Sequence, residues 1–447
     1  MRPALTKALP KLLAINQILS RKMSNFRIRT YTLRTQHSRE RWAATELDQE
    51  NTLRLHVKQY IPLSNPNPQQ GDVTIIGAVA NSFPKETAEP YWDDLYEVLK
   101  AKGRRIRGIW IADPVNQGES GVLNERVLGP DPSWWDHGRD LLFLINQFQD
   151  EMPHPIVGIG HSMGTGHLVH LSLLHPRLLH SLILMDTVIQ QAHNKPGLIW
   201  AAASANRRDL WPSRQAAADK MRANPAFQVC DPRVLDKYIE YGLRELPTEL
   251  YPDVPEDGGV PVTLQTTKAQ EQYNYVKPTY EDERLLLEEG QVWGEFYSAD
   301  REDVGGEKFS RSENKMLWHR LSELKPSVLF VPGKKSGVST PQLRRRRLEI
   351  TGTGPGGSGG LAKGRVKEAV VDAGHLVPYE RPREAAQVSA DFLNDELERW
   401  TREDEDRRQR WSKLSRRERV DINDAWRDGL GVKSKGETKK TAPPEKL

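Results

Sequence analysis

The sequence predicts an α/β fold, a mostly parallel, doubly wound sheet interrupted by a mainly helical insertion. Three observations carry that expectation. Short apolar strands alternate with helix-like stretches from about residue 53 onward. The run Gly160-His161-Ser162-Met163-Gly164 lies between one such strand and the helix that follows it. The alternation stops near residue 188 and resumes near residue 326, as an insertion between two halves of one sheet would make it do.

Leu53–Lys58 alternates apolar and polar residues like a half-buried strand, and Val73–Val79 is a continuous apolar run that suits a fully buried one. Ile106–Ile111 is the next strand. Ser133 is placed as the N-cap of a helix running through Asp140–Ile145. Pro155–Ile159 precedes the serine run, Thr165–Leu171 follows it with helical apolar spacing, and Ser181–Met185 is a further strand ending at Asp186. Residues 188–325 are rich in Trp, Arg and Pro and read as a cap over the C-terminal edge of the sheet, where open α/β sheets bind ligands. Ser327–Val331 and Val366–Val371 resume the sheet. The resulting division is a basic arm at 1–39, sheet at 50–187, cap at 188–325, sheet at 326–395, and a charged helical extension with a disordered tail at 396–447.

Charge narrows the class of partner. The net charge of +4 arises in the first 39 residues, which hold nine Lys and Arg and no acid; the rest carries 56 basic against 61 acidic residues. A nucleic-acid footprint across the fold is therefore not expected. The acid-free arm has the composition of an organelle transit peptide or of an extension ahead of Met23. No apolar run reaches the roughly 18 residues of a membrane span. The single cysteine, Cys230, excludes an intramolecular disulfide. Thr351–Gly360 is glycine-rich but lacks the preceding strand and the Lys-Ser/Thr pair of a phosphate loop, and Arg344–Arg347 reads as a solvated helix face.

The serine run carries the chemistry. Strand, Gly-x-Ser-x-Gly and helix together make a nucleophile elbow, in which the two glycines let strand and helix crowd and the serine sits on a strained turn. Ser162 is the candidate nucleophile. The amide of Met163, at the helix start, is free to donate to an oxyanion. A serine needs a base, and of twelve histidines His375 has the fitting context, a short loop after the last strand. His161, His167 and His170 are read as packing or solvent-facing residues.

The loop Pro332–Gly337, where the orienting acid is usually found, contains no carboxylate. Asp186 ends the strand after the elbow helix and is placed on the same rim, so it is the expected acid, with Asp372 as its competitor. The second oxyanion donor is expected from Ala80, with Val79 and Asn81 as alternatives. No metal or organic cofactor is required by this set.

Several runs resemble a fungal branch of the α/β-hydrolases. They are Phe83–Glu86 with Glu89–Leu95, Asn116–Ser120, Gly160–Gly164, Trp211–Arg214, Asp231–Leu235, Thr351–Gly360 and Gly374–Pro378. The branch includes the peroxisomal acyl-CoA hydrolase of mycophenolic acid biosynthesis, toxin-biosynthesis hydrolases of plant-pathogenic fungi, and yeast peroxisomal lipase. The resemblance covers about residues 50–395. It implies an α/β-hydrolase fold and a serine hydrolase acting on an acyl-CoA thioester or carboxylic ester with a sizeable apolar acyl group. It also implies Asp186 as the acid, and a peroxisomal setting in secondary-metabolite or toxin biosynthesis. A lipase or general esterase, and a non-catalytic binding protein on the same fold, are the alternatives. The terminal Glu445-Lys446-Leu447 approaches a Ser-Lys-Leu peroxisomal address without matching its first position, and the arm leaves mitochondrial or cytosolic placement open.

Overall fold

The computed structural model describes residues 25–46, 50, 52–191, 195–254, 258–278 and 309–432. Parts of the expected arm (1–24), cap (279–308) and tail (433–447) lie outside them. The chain divides into two units, Met1–Glu396 and Leu397–Leu447, and the division falls within the helix Pro382–Ser412.

Residues that the sequence assigns to the arm form the first strand of the sheet. This strand, β1 (Phe26–Arg34), pairs antiparallel with β2 (Arg54–Pro62) over its whole length. Phe26 and Ile28 are buried on one face and Tyr31 and Leu33 on the other, while Arg27 and Arg34 are exposed, so the strand is covered on opposite faces at its two ends. The expected arm at 1–39 therefore ends before Phe26. Its basic composition and the change of buried face between Ile28 and Tyr31 hide the strand from a period-two reading.

The strands β3 (Val73–Ala78), β4 (Ile106–Ala112), β5 (Ile156–His161) and β6 (Ser181–Met185) follow in the chain. All residues of β3, β5 and β6 are buried, as continuous apolar runs flanked by helices on both faces should be. The helix Trp134–Gln147 begins at Ser133, whose hydroxyl accepts the Trp135 amide. The cap contributes β7 (Leu210–Trp211), β8 (Leu243–Glu245), β9 (Val262–Leu264), β10 (Lys277–Pro278) and β11 (Phe309–Ser310). Then β12 (Ser327–Val331) and β13 (Val366–Glu368) complete the main sheet, in the order β1-β2-β4-β3-β5-β6-β12-β13. Every pair from β4 to β13 is parallel.

The cap is less purely helical than the sequence suggests. Its helices, including Lys195–Asn206, Arg214–Ala223, Pro232–Tyr241 and Lys268–Tyr275, accompany a small antiparallel sheet in the order β7-β9-β8. Strands of two or three residues are too short to carry a periodic signal, so they were not legible. Trp211, Met221, Leu235, Tyr238, Leu243 and Val262 form a separate apolar core there. Buried charges tie this cap to the sheet layer: Lys237 Nζ lies 2.7 Å from Glu89, which also accepts from Lys58 and the Tyr60 hydroxyl.

The topology sets the site. β5, β6, β12 and β13 are consecutive parallel neighbours, so the segments leaving their C-terminal ends emerge on one rim. Ser162 follows β5, Asp186 follows β6, and His375 lies in the loop after β13.

Candidate active site

The elbow is built by backbone contact. Ser162 has φ 52°, ψ −117°, and caps the helix Met163–Leu174, while its own amide donates to Met185 O at 3.0 Å. A side chain on Gly160 would put Cβ 2.9 Å from the backbone of Gly164. One on Gly164 would put it 2.2 Å from Ala78 O and 2.8 Å from Val79 O. Only glycine lets the elbow helix rest on β3 and β5 this closely. The left-handed Ser162 costs on the order of 1–3 kcal/mol, which the surrounding packing offsets.

Ser162, His375 and Asp186 are hydrogen-bonded in series. His375 Nε2 lies 2.8 Å from Ser162 Oγ, and His375 Nδ1 lies 2.6 Å from Asp186 Oδ2. With the proton on Nδ1 donated to the carboxylate, Nε2 is left to accept from the serine hydroxyl. Asp186 is fully buried, at φ 38°, and its amide donates to Val331 O at 3.0 Å. Its Oδ1 accepts the Gly333 amide at 3.0 Å and its Oδ2 the Ser336 hydroxyl at 2.5 Å. Burial acts to raise its pKa, but the His375 hydrogen bond and charge, with the Ser336 and Gly333 donors, outweigh it and hold the carboxyl below the usual range. Asp372, the competing acid, is exposed and pairs with Lys335 at 3.1 Å.

The loop after β3 brackets the serine from the other side. Val73 donates to Arg105 O, on the β4 side, and Thr74 to Pro155 O, on the β5 side. The Ala80 amide faces the buried Tyr379 hydroxyl. The Ser82 amide donates to Gln117 Oε1 at 2.9 Å and that of Phe83 to Ala80 O at 3.4 Å. None of these contacts engages the amide of Asn81. Ser82 stands at φ 64° where a glycine would be unstrained.

No family model matches the sequence. Over 392 residues the chain is 36% identical to the type I acyl-CoA thioesterase mpaH' of Penicillium brevicompactum, an alignment covering 84% of this chain and 89% of that protein. The chain belongs to the same family of fungal α/β-hydrolases. A further relative is the abhydrolase domain-containing protein AFT2-1 of Alternaria alternata, 30% identical over 63% of this chain and 100% of that protein. The peroxisomal α/β-hydrolase Lpx1 of Saccharomyces cerevisiae shares the fold, with a TM-score of 0.65 at 17% identity, over 92% of this chain and 98% of that one. As a member of this family the protein is an enzyme that hydrolyses ester or thioester bonds of a small-molecule acyl substrate. Among the described residues no helix is long and apolar enough to cross a membrane.

Around the three side chains this α/β-hydrolase holds groups that the sequence did not mark. His161, read as a packing or solvent-facing residue beside the serine, has its Nε2 2.8 Å from His375 O, so the elbow itself holds the loop of His375. Burial, and then the neighbouring His375, push the His161 pKa down to about 3, which keeps it neutral and a donor at this atom. Glu380 accepts the amides on either side of His375, Gly374 at 2.8 Å and Leu376 at 3.1 Å. From the cap, Trp200 stacks on the imidazole of His375 with centroids 4.7 Å apart and planes at 26°. Trp134, Met163 and Val188 continue this apolar wall.

Arg347, expected on a solvated face, is buried and donates to Ile189 O, Ser339 Oγ and Val338 O, joining the segment after Asp186 to the one after Ser336. Burial pushes its pKa down to about 10 against the pull of Asp186 and Glu368. Such contacts join residues far apart in the chain and leave no spacing to read.

Proposed function

We propose that Ser162 is the nucleophile, His375 the general base and Asp186 the orienting acid of a hydrolase acting on acyl-CoA thioesters. The series of hydrogen bonds at 2.8 and 2.6 Å is the observation that carries this reading. His375 takes the serine proton as Ser162 Oγ attacks the carbonyl, and returns it to the departing thiolate or alkoxide. Asp186 holds the imidazole in the required tautomer and stabilises the imidazolium. The amides of Met163 and Asn81 receive the oxyanion. Water, deprotonated by His375, then releases the acid from Ser162.

The thioester preference is supported by the relative named as an acyl-CoA thioesterase, and the apolar wall of Trp134, Met163, Val188 and Trp200 suits an apolar acyl group. A panel of acyl-CoAs and oxygen esters of matched acyl chains, run with wild type and Ser162→Ala, tests it. Preference for the acyl-CoAs with loss of turnover in the variant is expected. Faster cleavage of simple esters or triglycerides would make it a general esterase or lipase, and retained turnover in Ser162→Ala would remove the serine from the mechanism. The peroxisomal setting and the role in secondary-metabolite or toxin biosynthesis, both implied by the family resemblance, belong to the same proposal. A fluorescent fusion of the full chain should overlap a peroxisomal marker; mitochondrial or diffuse signal would overturn that placement.

A further inference from the structure

We infer that the cap positions the oxyanion loop through the side chain of Asn81, so that the hole beside Ser162 is complete only with the cap helix Lys268–Tyr275 in place. The inference rests on the serine-hydrolase reading above.

Asn81 is buried, and its two side-chain atoms are held from two different parts of the fold. Its Nδ2 donates to Glu271 O, in the cap helix, at 2.9 Å. Its Oδ1 accepts from Gln117 Nε2, and the same glutamine's Oε1 takes the Ser82 amide at 2.9 Å. Gln117 thus clamps residues 81 and 82 from the sheet side, and Glu271 holds Asn81 from the cap side. The Tyr275 hydroxyl meets both the Asn81 side chain and the Glu271 carboxylate, the latter at 3.3 Å, and Glu271 is ion-paired to Arg207.

The loop has need of such anchors. Beyond Ala78 it leaves the β3 ladder, so no strand partner fixes residues 80–82. Ser82 is held at a φ of 64°, a conformation a non-glycine residue keeps only when its surroundings enforce it. An oxyanion donor is effective when it is already aimed before charge develops. In this fold that aim depends on the Asn81 carboxamide, and two of its three partners, Glu271 O and the Tyr275 hydroxyl, come from the cap. The cap also reaches the base, since Trp200 packs on His375 and lies 5.8 Å from Tyr275. Base and oxyanion loop are therefore both seated by cap residues that never touch the serine hydroxyl.

The variants Asn81→Leu, which keeps the shape without the hydrogen bonds, and Tyr275→Phe, which removes one hydroxyl, test this in the full chain. Three quantities are read for each. They are kcat and KM on an acyl-CoA, affinity for an alkyl boronic acid that forms a tetrahedral anionic adduct on the serine, and affinity for a non-hydrolysable thioether analogue of the substrate. Asn81→Leu should lower kcat about 100-fold, near the loss typical for one oxyanion donor. KM and thioether affinity should hold within about threefold, and boronate affinity should fall in step with kcat/KM. Tyr275→Phe should move the same quantities in the same direction by a smaller factor, and it serves alone if Asn81→Leu does not fold.

Equal losses of boronate and thioether affinity would mean that the contact only shapes the binding cavity, and would overturn the inference. So would unchanged kcat in both variants. Failure of wild type to form the boronate adduct would instead strike the serine-hydrolase reading itself.

Discussion

Asp186 Oδ2 receives two donors, His375 Nδ1 and Ser336 Oγ, so the acid's charge is shared between the base and a serine with no chemical step of its own. Ser336→Ala leaves the His375 bond and removes the other donor. A hydrogen bond to a charged group contributes about 1.5–3 kcal/mol, so part of the force that depresses the Asp186 pKa is lost and that pKa rises toward the ordinary value. The expected outcome is a fall in kcat/KM of about tenfold, as the carboxylate that orients His375 loses its second donor. Asp186→Asn should cost on the order of 10⁴ in kcat through the wrong tautomer. Asp372→Asn, at an exposed residue paired to Lys335, should leave kcat unchanged. A steady-state pH series on the three variants checks all of this, and an effect of Asp372→Asn matching that of Asp186→Asn would reverse the assignment. At this scale the three residues of the proposed mechanism, Ser162, His375 and Asp186, can be named from the sequence, because such roles restrict the residue types found at strand ends. Ser336 and Glu380 escape it, since any hydroxyl, amide or carboxylate could hold a neighbour in place.

An element is legible when its signal is local. Ser133 before an apolar-periodic stretch announces the helix Trp134–Gln147, and its hydroxyl accepts the Trp135 amide and meets Glu313 at 3.3 Å. Ser133→Ala should lower stability by about 1 kcal/mol, as loss of an N-cap does, without altering kcat. A urea titration alongside an activity assay reads both, and a matching loss of kcat would show that this helix bears on the site. The elbow is the opposite case. Gly164 has no room for a Cβ beside Ala78 O, and that carbonyl is backbone, which cannot swing away. Gly164→Ala should therefore force the helix off β3, displacing Met163 and Ser162 together, and abolish labelling by a fluorophosphonate probe. Near-normal labelling would mean that the helix can shift without cost. β1 and the cap strands were not legible for physical reasons already visible in their residues. In β1 the buried positions change face between Ile28 and Tyr31, and β7 to β9 are too short to show a period.

Across the whole molecule the buried histidines decide how it responds to acid. Burial lowers the pKa of His137 and of His170 to about 4 and that of His161 to about 3, and drives that of His167 well below the ordinary value. The facing charges do not reverse this: Asp140 and Arg39 oppose each other at His137, and Arg139 adds to the lowering at His170. Between about pH 6.5 and those lowered values, the unfolded chain takes up protons that the folded chain refuses. Stability therefore rises with pH through this window and falls as the solution is acidified. One such histidine contributes up to about 1.4 kcal/mol per pH unit, and a typical domain has only about 5–15 kcal/mol in all. Carboxylates with a depressed pKa add to the same trend at lower pH. Glu313, where burial is outweighed by Arg311 and Arg41, is held at about 2, so its contribution is present above the ordinary range and is lost as pH falls from about 4.5 toward 2. The urea midpoint should consequently drop between pH 7 and pH 5, where the four imidazoles outweigh the one carboxyl, Asp136, that burial raises to about 6 and that acts in the opposite sense. Equilibrium unfolding at pH 7, 6 and 5 measures it. A midpoint that stays level over that range would mean these imidazoles bind protons in the folded state, and their burial as neutral rings would have to be abandoned.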